Sequence, residues 1–298
     1  MGSLAEPSPG RPQRLAFLGT PEVGVTVMRR LVSAGFALSC VVTAPDRRRG
    51  RGASLGPSPV KAAAAELGLP VTARVEDVLD AGVDLGVVVA FGRIIARPVL
   101  EQVPMVNLHF SLLPRWRGAA PVERALLAGD TETGVCLMVV APELDAGGIY
   151  RSRAISVGPG DTADDLRRRL AALGSELLVE ALHHGLGAAA PQEGEATYAA
   201  KIGPGERRID WAAPAGQMDR VVRIGRAWTT WRGKRLLVLQ ARPAEDAGLA
   251  PGQLDGVRAG TGQGTLELVQ LQPEGRGPLG AAEWVRGARP GPGDRLGW

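Results

Sequence analysis

The stretch Val106-Asn107-Leu108-His109-Phe110-Ser111-Leu112-Leu113-Pro114-Arg115-Trp116-Arg117-Gly118-Ala119-Ala120-Pro121-Val122 decides how the rest of the chain is read. Val106 and Leu108 alternate with Asn107 and His109 at the period of a strand, so the two polar side chains share one face. The run from Ser111 to Gly118 is too interrupted for a strand and predicts an ordered loop. Pro121 suits a first helical turn, and Val122, Ala125 and Leu126 recur at helical spacing. Strand, loop and helix meet here, and in an open α/β sheet ligands bind at the carboxyl ends of the strands.

The residue types at this junction suit one kind of chemistry. A neutral imidazole takes or relays a proton near pH 7, and an amide donates to an oxygen that turns negative when a carbonyl is attacked. Asn107 and His109 together fit acyl or formyl transfer to an amine. An isolated Asn-x-His is more often a satisfied core histidine beside a turn-former, so the pair alone leaves both readings open.

Upstream, Arg14 to Gly19 is a short apolar strand ending in glycine. Thr20 is the expected cap of the next helix, with Pro21 in its first turn and Val23, Val27 and Leu31 on its apolar face. Ala37 to Val42 forms a second strand, which implies a parallel pair with a right-handed crossover. The turn lacks G-x-G-x-x-G, which disfavours a dinucleotide. Arg47-Arg48-Arg49-Gly50-Arg51-Gly52 is basic and broken by glycine, and predicts a mobile loop. By composition alone it could be no more than solvated chain. Pro57 to Lys61 returns promptly to a helix running through Leu67, so the loop is an insertion within one domain. Leu85 to Ala90 is continuously apolar, as a strand buried on both faces should be, and runs into a hydrophobic turn, Phe91 to Ile95.

Downstream, Val135 to Val140 supplies another strand, followed by an acid-and-glycine turn from Pro142 to Ile149. A helix starts near Thr162 and carries Leu166, Leu170, Leu173, Leu177 and Leu178; His183 and His184 stand at its end as charge partners of the helix terminus. Glycine, alanine and proline from His184 to Gly194 mark a linker. Beyond a helix from Met218 to Arg226, short runs at Arg235–Ala241, Gly252–Val257 and Thr265–Leu271 alternate with glycine turns, which suggests a small β-barrel. The expected organisation is a disordered tail over 1–13, a catalytic domain over 14–184, a linker over 185–204 and a barrel domain over 205–298. The fold class is α/β with a mostly parallel, Rossmann-like sheet.

Composition narrows the function classes. The 298 residues suffice for two domains, and 22% charged residues describe an ordinary soluble protein. No apolar run reaches the roughly 18 residues of a membrane span. Two cysteines, Cys40 and Cys136, each sit in an apolar stretch, so a cytoplasmic setting with reduced thiols and no metal site is expected. Residues 1–199 hold 20 Lys and Arg against 21 Asp and Glu, a net −1; residues 200–298 hold 15 against 10, a net +5. A basic C-terminal third suits a polyanionic partner and equally a plain solvated surface.

The longer text separates these readings. Asn107-Leu108-His109 with Ser111-Leu112-Leu113-Pro114-Arg115-Trp116-Arg117-Gly118-Ala119-Ala120-Pro121-Val122 resembles the signature of the 10-formyltetrahydrofolate-dependent formyltransferases. It is most similar to the branch that formylates the methionine of initiator methionyl-tRNA for translation initiation. Leu144-Asp145-Ala146-Gly147 resembles the Leu-Asp-x-Gly element of that family. The resemblance implies Asn107, His109 and Asp145 as the catalytic group, with either His109 or Asp145 as formal base. It implies folate contacts at Phe91, Gly92, Arg93, Ile94 and Ile95 and at Ser111, Leu112, Leu113 and Pro114. Many relatives have tyrosine at the place of Phe91 and glycine at that of Phe110.

In the same branch a basic loop contacts the tRNA acceptor stem. The loop here resembles it in Pro45-Asp46-Arg47, in Gly50-Arg51-Gly52 and in Pro57-Ser58-Pro59-Val60-Lys61, and differs in its extra arginines. Arg47, Arg48, Arg49 and Arg51 are therefore the expected tRNA contacts, Arg47 foremost. Thr197 to Ile202, Arg208 to Trp211 and Leu271-Gln272-Pro273 resemble the bridge and the OB-like barrel of that branch. The resemblance implies a monomer whose substrates are charged initiator tRNA and the folate donor. The rivals are a glycinamide-ribonucleotide formyltransferase, a sugar-nucleotide N-formyltransferase and a noncatalytic RNA-binding protein of the same fold.

Overall fold

The computed structural model describes residues 3–8, 10–49, 54–291 and 293–297. The chain forms two compact units: Met1–Pro121 with Glu132–Ser156 and Arg167–Ala200, and Val122–Thr131 with Val157–Leu166 and Lys201–Trp298. The first holds β1 (Arg14–Gly19), α1 (Glu22–Ser33), β2 (Ala37–Val42), β3 (Arg47–Arg49), β4 (Ser54–Gly56), α2 (Pro59–Glu66), β5 (Val71–Thr72), β6 (Leu85–Val89), α3 (Arg97–Leu100), β7 (Met105–His109) and β8 (Arg117–Gly118). After α4 (Pro121–Ala128) come β9 (Glu132–Val139), β10 (Ile149–Ser156), α5 (Ala163–His184) and β11 (Tyr198–Ala199).

Seven strands make the main sheet, in the order β10-β9-β7-β6-β1-β2-β5. The five from β7 to β5 run parallel, while β9 and β10 are antiparallel to their neighbours. β1 and β6 are apolar along their length because helices and loops cover a parallel sheet on both faces; Leu15, Phe17, Leu18, Val87 and Val89 are buried. The mostly parallel sheet is as the sequence predicts. β10 was not foreseen, since its arginines and serines break the apolar run that marked the central strands.

Local capping differs from expectation at α1, while α5 starts where expected. Pro21, not Thr20, is the N-cap of α1, and no side chain bonds there. The Thr20 hydroxyl instead donates to the Phe91 carbonyl, 3.5 Å away. At α5 the Thr162 hydroxyl accepts from the Asp165 amide at 3.1 Å, and the Asp165 carboxylate accepts from the Thr162 amide at 3.0 Å. That reciprocal pair satisfies two end donors and starts the helix where the sequence predicts.

The segment expected as a mobile loop is, where described, a hairpin. β3 and β4 pair antiparallel, with Arg47 opposite Gly56 and Arg48 opposite Leu55. An extended ladder sets Arg47 and Arg48 on alternate faces, and both are exposed, so their charges need no packing partner. Asp46 pairs with Lys61 Nζ at 2.7 Å. Arg51 lies outside the described residues.

The opening residues, expected as a disordered tail, are anchored at several described points. The Ala5 amide donates to the Leu100 carbonyl at 2.9 Å, and Leu4 packs on the cluster that contains Val99 and Leu100. The Gln13 and Arg14 amides both donate to Asp84 Oδ2 at 2.8 Å. The amide of Arg14 foremost holds the Asp84 carboxyl below its ordinary value, opposed by burial and helped by the Gln13 amide.

The second unit contains α6 (Ala215–Arg223), β12 (Ala227–Trp231), β13 (Lys234–Ala244), β14 (Leu254–Asp255), β15 (Arg258–Gly260), β16 (Thr265–Pro273), β17 (Leu279–Gly280) and α7 (Ala281–Ala288). Its sheet is antiparallel, in the order β12-β13-β16-β15-β14 with β17 on β16. Register shifts on either side of Gln240 bend the long β13 strand. Trp211, Met218, Val222, Leu236, Leu266 and Trp284 belong to its core, and Trp211 Nε1 donates to Thr229 Oγ1 at 2.9 Å.

Candidate active site

β7 ends in the sheet between β6 and β9, and its carboxyl end carries Asn107 and His109 two residues apart. The two lie on the same side of the pleat. Asn107 is half-buried, opposite Val88 on one side and Met138 on the other. His109 is 6% exposed. Its Nε2 stands 2.8 Å from the Trp116 carbonyl oxygen. A carbonyl only accepts, so this bond requires a hydrogen on Nε2, and Nδ1 is the atom left to gain or release a proton.

Asp145 stands on that side of the ring. Its Oδ2 is 3.7 Å from His109 Nδ1, longer than a direct hydrogen bond and short enough for strong attraction to an imidazolium. The same oxygen accepts the Gly118 amide at 2.8 Å. Two nearby peptide groups of one short segment thus hold the site: the carbonyl of Trp116 grips the ring and the amide of Gly118 grips the carboxylate. The segment turns sharply, with φ of 62° at Trp116 and 116° at Gly118. A Cβ at Gly118 would lie 3.0 Å from the Ala199 carbonyl oxygen. Asp145 itself has φ 48°, and at Gly147 a Cβ would press into the Val139 carbonyl group, 2.9 Å from its carbon.

The segment that sequence composition marks as a linker is tied to this framework. Thr197 Oγ1 accepts the Trp116 amide at 2.9 Å, and the Thr197 carbonyl accepts the Arg117 amide at 2.8 Å. β11 pairs parallel with β8. Gln192 bonds Asp145, Gly147 and Arg117, and Ala190 exchanges two main-chain bonds with Ile149. Sequence reasoning gave no site role to Trp116, Gly118, Gln192 or Thr197. Most of their bonds involve main-chain atoms, which no residue type advertises.

The other expected site residues divide into two groups. Ser111 is 1% exposed and donates to the Arg115 carbonyl at 2.6 Å. The Leu113 amide donates to Cys136 Sγ at 3.4 Å, and Leu113-Pro114 is a cis peptide. Burial pushes the Cys136 thiol up, which keeps it protonated. Leu112 is half-buried, and Phe110 is buried beside the turn. In the second group, Phe91 and Ile95 belong to the buried cluster of Ala16, Leu18 and Val88, while Ile94 is 89% exposed. Gly92 has φ 70°, and Arg93 lies over the Phe91 ring at 5.3 Å and donates to the Ala73 carbonyl. The main chain from Gly92 to Ile95 makes no hydrogen bond to other main chain among the described residues. Arg47 and Arg48 are exposed on the hairpin.

The arrangement can polarise one carbonyl-like oxygen and move one proton. A neutral amide and an imidazole whose free nitrogen faces a carboxylate are gathered at the end of a strand. No cluster of three or more His, Cys, Asp or Glu side chains that could hold a metal ion occurs among the described residues. No helix described is long and apolar enough to cross a membrane.

Comparison with known proteins places the chain. Residues 13–182 match the model of the formyl transferase family, and residues 201–289 match that of the formyl transferase C-terminal domain. The chain is 43% identical over 290 residues to the methionyl-tRNA formyltransferase of Paracoccus denitrificans, covering 92% of this chain and 97% of that protein. Among solved structures, HypX from Aquifex aeolicus in complex with tetrahydrofolic acid superposes with a TM-score of 0.67 at 16% identity. The match covers 95% of this chain and 48% of that longer one. Methionyl-tRNA formyltransferase from Clostridium thermocellum superposes with a TM-score of 0.58 at 16% identity, over 78% of this chain and 94% of that one.

Proposed function

The chain belongs to the formyltransferase family, and we propose that it formylates methionyl-tRNA, transferring the formyl group of 10-formyltetrahydrofolate to the α-amine of methionine carried by initiator tRNA. The product serves translation initiation. The observation that supports this most is the placement of His109 Nδ1 beside Asp145, with Asn107 on the same strand face.

The uncharged amine attacks the formyl carbon; a nitrogen–carbon bond forms and the bond to the donor nitrogen breaks. In the tetrahedral intermediate the former carbonyl oxygen is negative. The Asn107 amide and protonated His109 Nδ1 donate to it, and Asp145 balances the imidazolium. The amine proton passes to Asp145, or to His109 Nδ1 where the ring begins neutral and becomes the imidazolium by that transfer, and the donor nitrogen takes a proton up as it leaves. No side chain needs to become a covalent nucleophile, because the formyl group arrives activated.

The folate donor lies along Phe91–Ile95 and the Ser111–Pro114 turn. The free main-chain groups from Gly92 to Ile95 suit the polar edge of a flat heterocycle, and buried Phe91 supplies an apolar wall. HypX, which shares the fold, was solved with tetrahydrofolic acid. For tRNA, Arg47, Arg48 and Arg49 of β3, with Arg51, meet phosphates, and the basic region 205–298 adds surface. There Arg208 and Arg235 both lie over the Trp228 ring, at 5.7 and 4.7 Å, and neither makes an ion pair among the described residues. The chain works as a cytoplasmic monomer, with residues 14–184 as the catalytic domain and 185–204 joining it to the C-terminal one.

The test is formyl transfer by purified protein from labelled donor to charged initiator tRNA, glycinamide ribonucleotide and an amino-sugar nucleotide in parallel. Label on tRNA alone is the expected result. Label on either small acceptor instead would reassign the substrate, and tRNA binding without transfer would make the chain an RNA-binding relative.

A further inference from the structure

Gln192 lies between the two stretches that match the family models, in a run whose composition reads as linker. Its side chain is fully engaged. Nε2 donates to the main-chain oxygens of Asp145 and Gly147, each at 2.8 Å. Oε1 accepts Nε and Nη2 of Arg117 at 3.0 and 2.7 Å. Both donors and both acceptor positions of the amide are used. Only one amide orientation allows this, because a flip would set the –NH₂ group against guanidinium N–H and the oxygen against two carbonyls.

Asp145 needs such a hold. Its φ of 48° is one that an aspartate keeps only when its surroundings impose it. The Gly118 amide fixes the carboxylate end and Gln192 fixes the carbonyl end. Arg117, which orients Gln192, is the residue between Trp116 and Gly118, so the grip on His109, the grip on Asp145 and the clamp on Gln192 come from three consecutive residues.

We propose that Gln192, set by Arg117, is a positioning residue for formyl transfer: it holds the Asp145–Gly147 turn so that the carboxylate faces the free nitrogen of His109. The proposal rests on the reading of Asp145 as part of the site. Gln192 touches neither substrate, and acts through Asp145.

The experiment compares kcat, KM for both substrates and thermal midpoint for the full chain carrying Gln192→Ala, Gln192→Glu, Asp145→Ala, or Asp145→Ala with Gln192→Ala. Glu at 192 keeps the pairing with Arg117 and replaces both N–H donors by oxygen facing two carbonyls. Both Gln192 variants should lower kcat by about 10²-fold, the effect of displacing a reacting group by about an ångström. Both KM values should stay within about twofold. In the Asp145→Ala background the added loss from Gln192→Ala should shrink to less than about threefold, since nothing remains to be positioned.

Normal kcat in Gln192→Glu, or losses that multiply in the double variant, overturns the proposal while the site reading stands. Normal turnover in Asp145→Ala overturns that reading and the proposal with it. If Gln192→Ala does not fold, Gln192→Glu carries the comparison, and failure of both to fold makes Gln192 a residue of the fold and overturns the proposal.

Discussion

Substituting Gly118 by alanine separates strain from chemistry. Gly118 has φ 116°, and its ideal Cβ lies 3.0 Å from the Ala199 carbonyl oxygen. An L-residue held at positive φ costs about 1–3 kcal/mol, and the contact adds to this, because it is tighter than ordinary van der Waals contact. The amide bond to Asp145 Oδ2 that keeps the peptide in place is 2.8 Å long; a hydrogen bond to a charged group contributes about 1.5–3 kcal/mol. The two effects are of similar size, so the peptide rotates to relieve φ and the amide leaves Asp145. At roughly 2–4 °C per kcal/mol for a chain of this class, the thermal midpoint should fall by about 2–12 °C.

Turnover should fall by about 10²-fold as the carboxylate loses its fixed place beside His109. Gly233→Ala is the control: it sits at φ 73° with nothing near its Cβ, so it carries comparable strain away from the site. Steady-state formylation at a temperature below both midpoints, with calorimetry of each variant, makes the comparison. Gly233→Ala should lose stability and keep kcat. If Gly118→Ala also keeps wild-type kcat while its midpoint falls as in the control, the Gly118–Asp145 bond has no part in transfer.

Other outcomes follow from the same geometry. Asn107→Ala and His109→Ala should each lower kcat by roughly 10²–10⁴ with tRNA affinity unchanged in a filter-binding titration; full turnover in His109→Ala refutes the mechanism. Replacing Arg47, Arg48, Arg49 and Arg51 together by alanine should raise KM for tRNA and flatten its dependence on salt, because each phosphate contact released removes counterion release from the balance. Unchanged KM at two salt concentrations reduces the hairpin to solvated chain. Glu206, which pairs with Arg124 at 2.6 Å, has its carboxyl held below the ordinary 4.5, first by that pairing and then by the Gly203 amide. A lowered folded-state value means that its stabilisation is present above pH 4.5 and is lost as pH falls through the lower value. Glu206→Gln should therefore narrow the midpoint difference from wild type as pH drops below 4.5, and a difference that widens contradicts the pairing.

Much of the sheet was legible because its physics is local. Leu15–Leu18 and Leu85–Val89 are apolar at every position, which only a strand covered on both faces needs, and Asn107 with His109 stands out against apolar neighbours. The framework of the site was not legible. Gln192 bonds carbonyls 45 and 47 residues away, and carbonyls are common to all residues, so nothing in the residue types around it marks the contact. The cap at α1 failed for a related reason: a local rule assigned Thr20 to its own helix, while its hydroxyl found the Phe91 carbonyl, 71 residues away. The hairpin was missed because composition reports that arginines will not pack, and an exposed ladder asks nothing of them except an extended backbone.

The pairing of β8 with β11 has a consequence in time. Ribosomes deliver the chain from the N-terminus, and His109 and Asp145 are polymerised well before Thr197 closes on Trp116. The sheet can therefore be native while the Trp116–Gly118 turn is still unsupported, and catalytic competence follows the sheet in the nascent chain. Stalled chains of stepped length, cut beside Trp116 by a limited dose of protease, should become protected only once residues 192–199 are free of the ribosome. A half-made enzyme of this design holds its reactive groups and cannot yet use them.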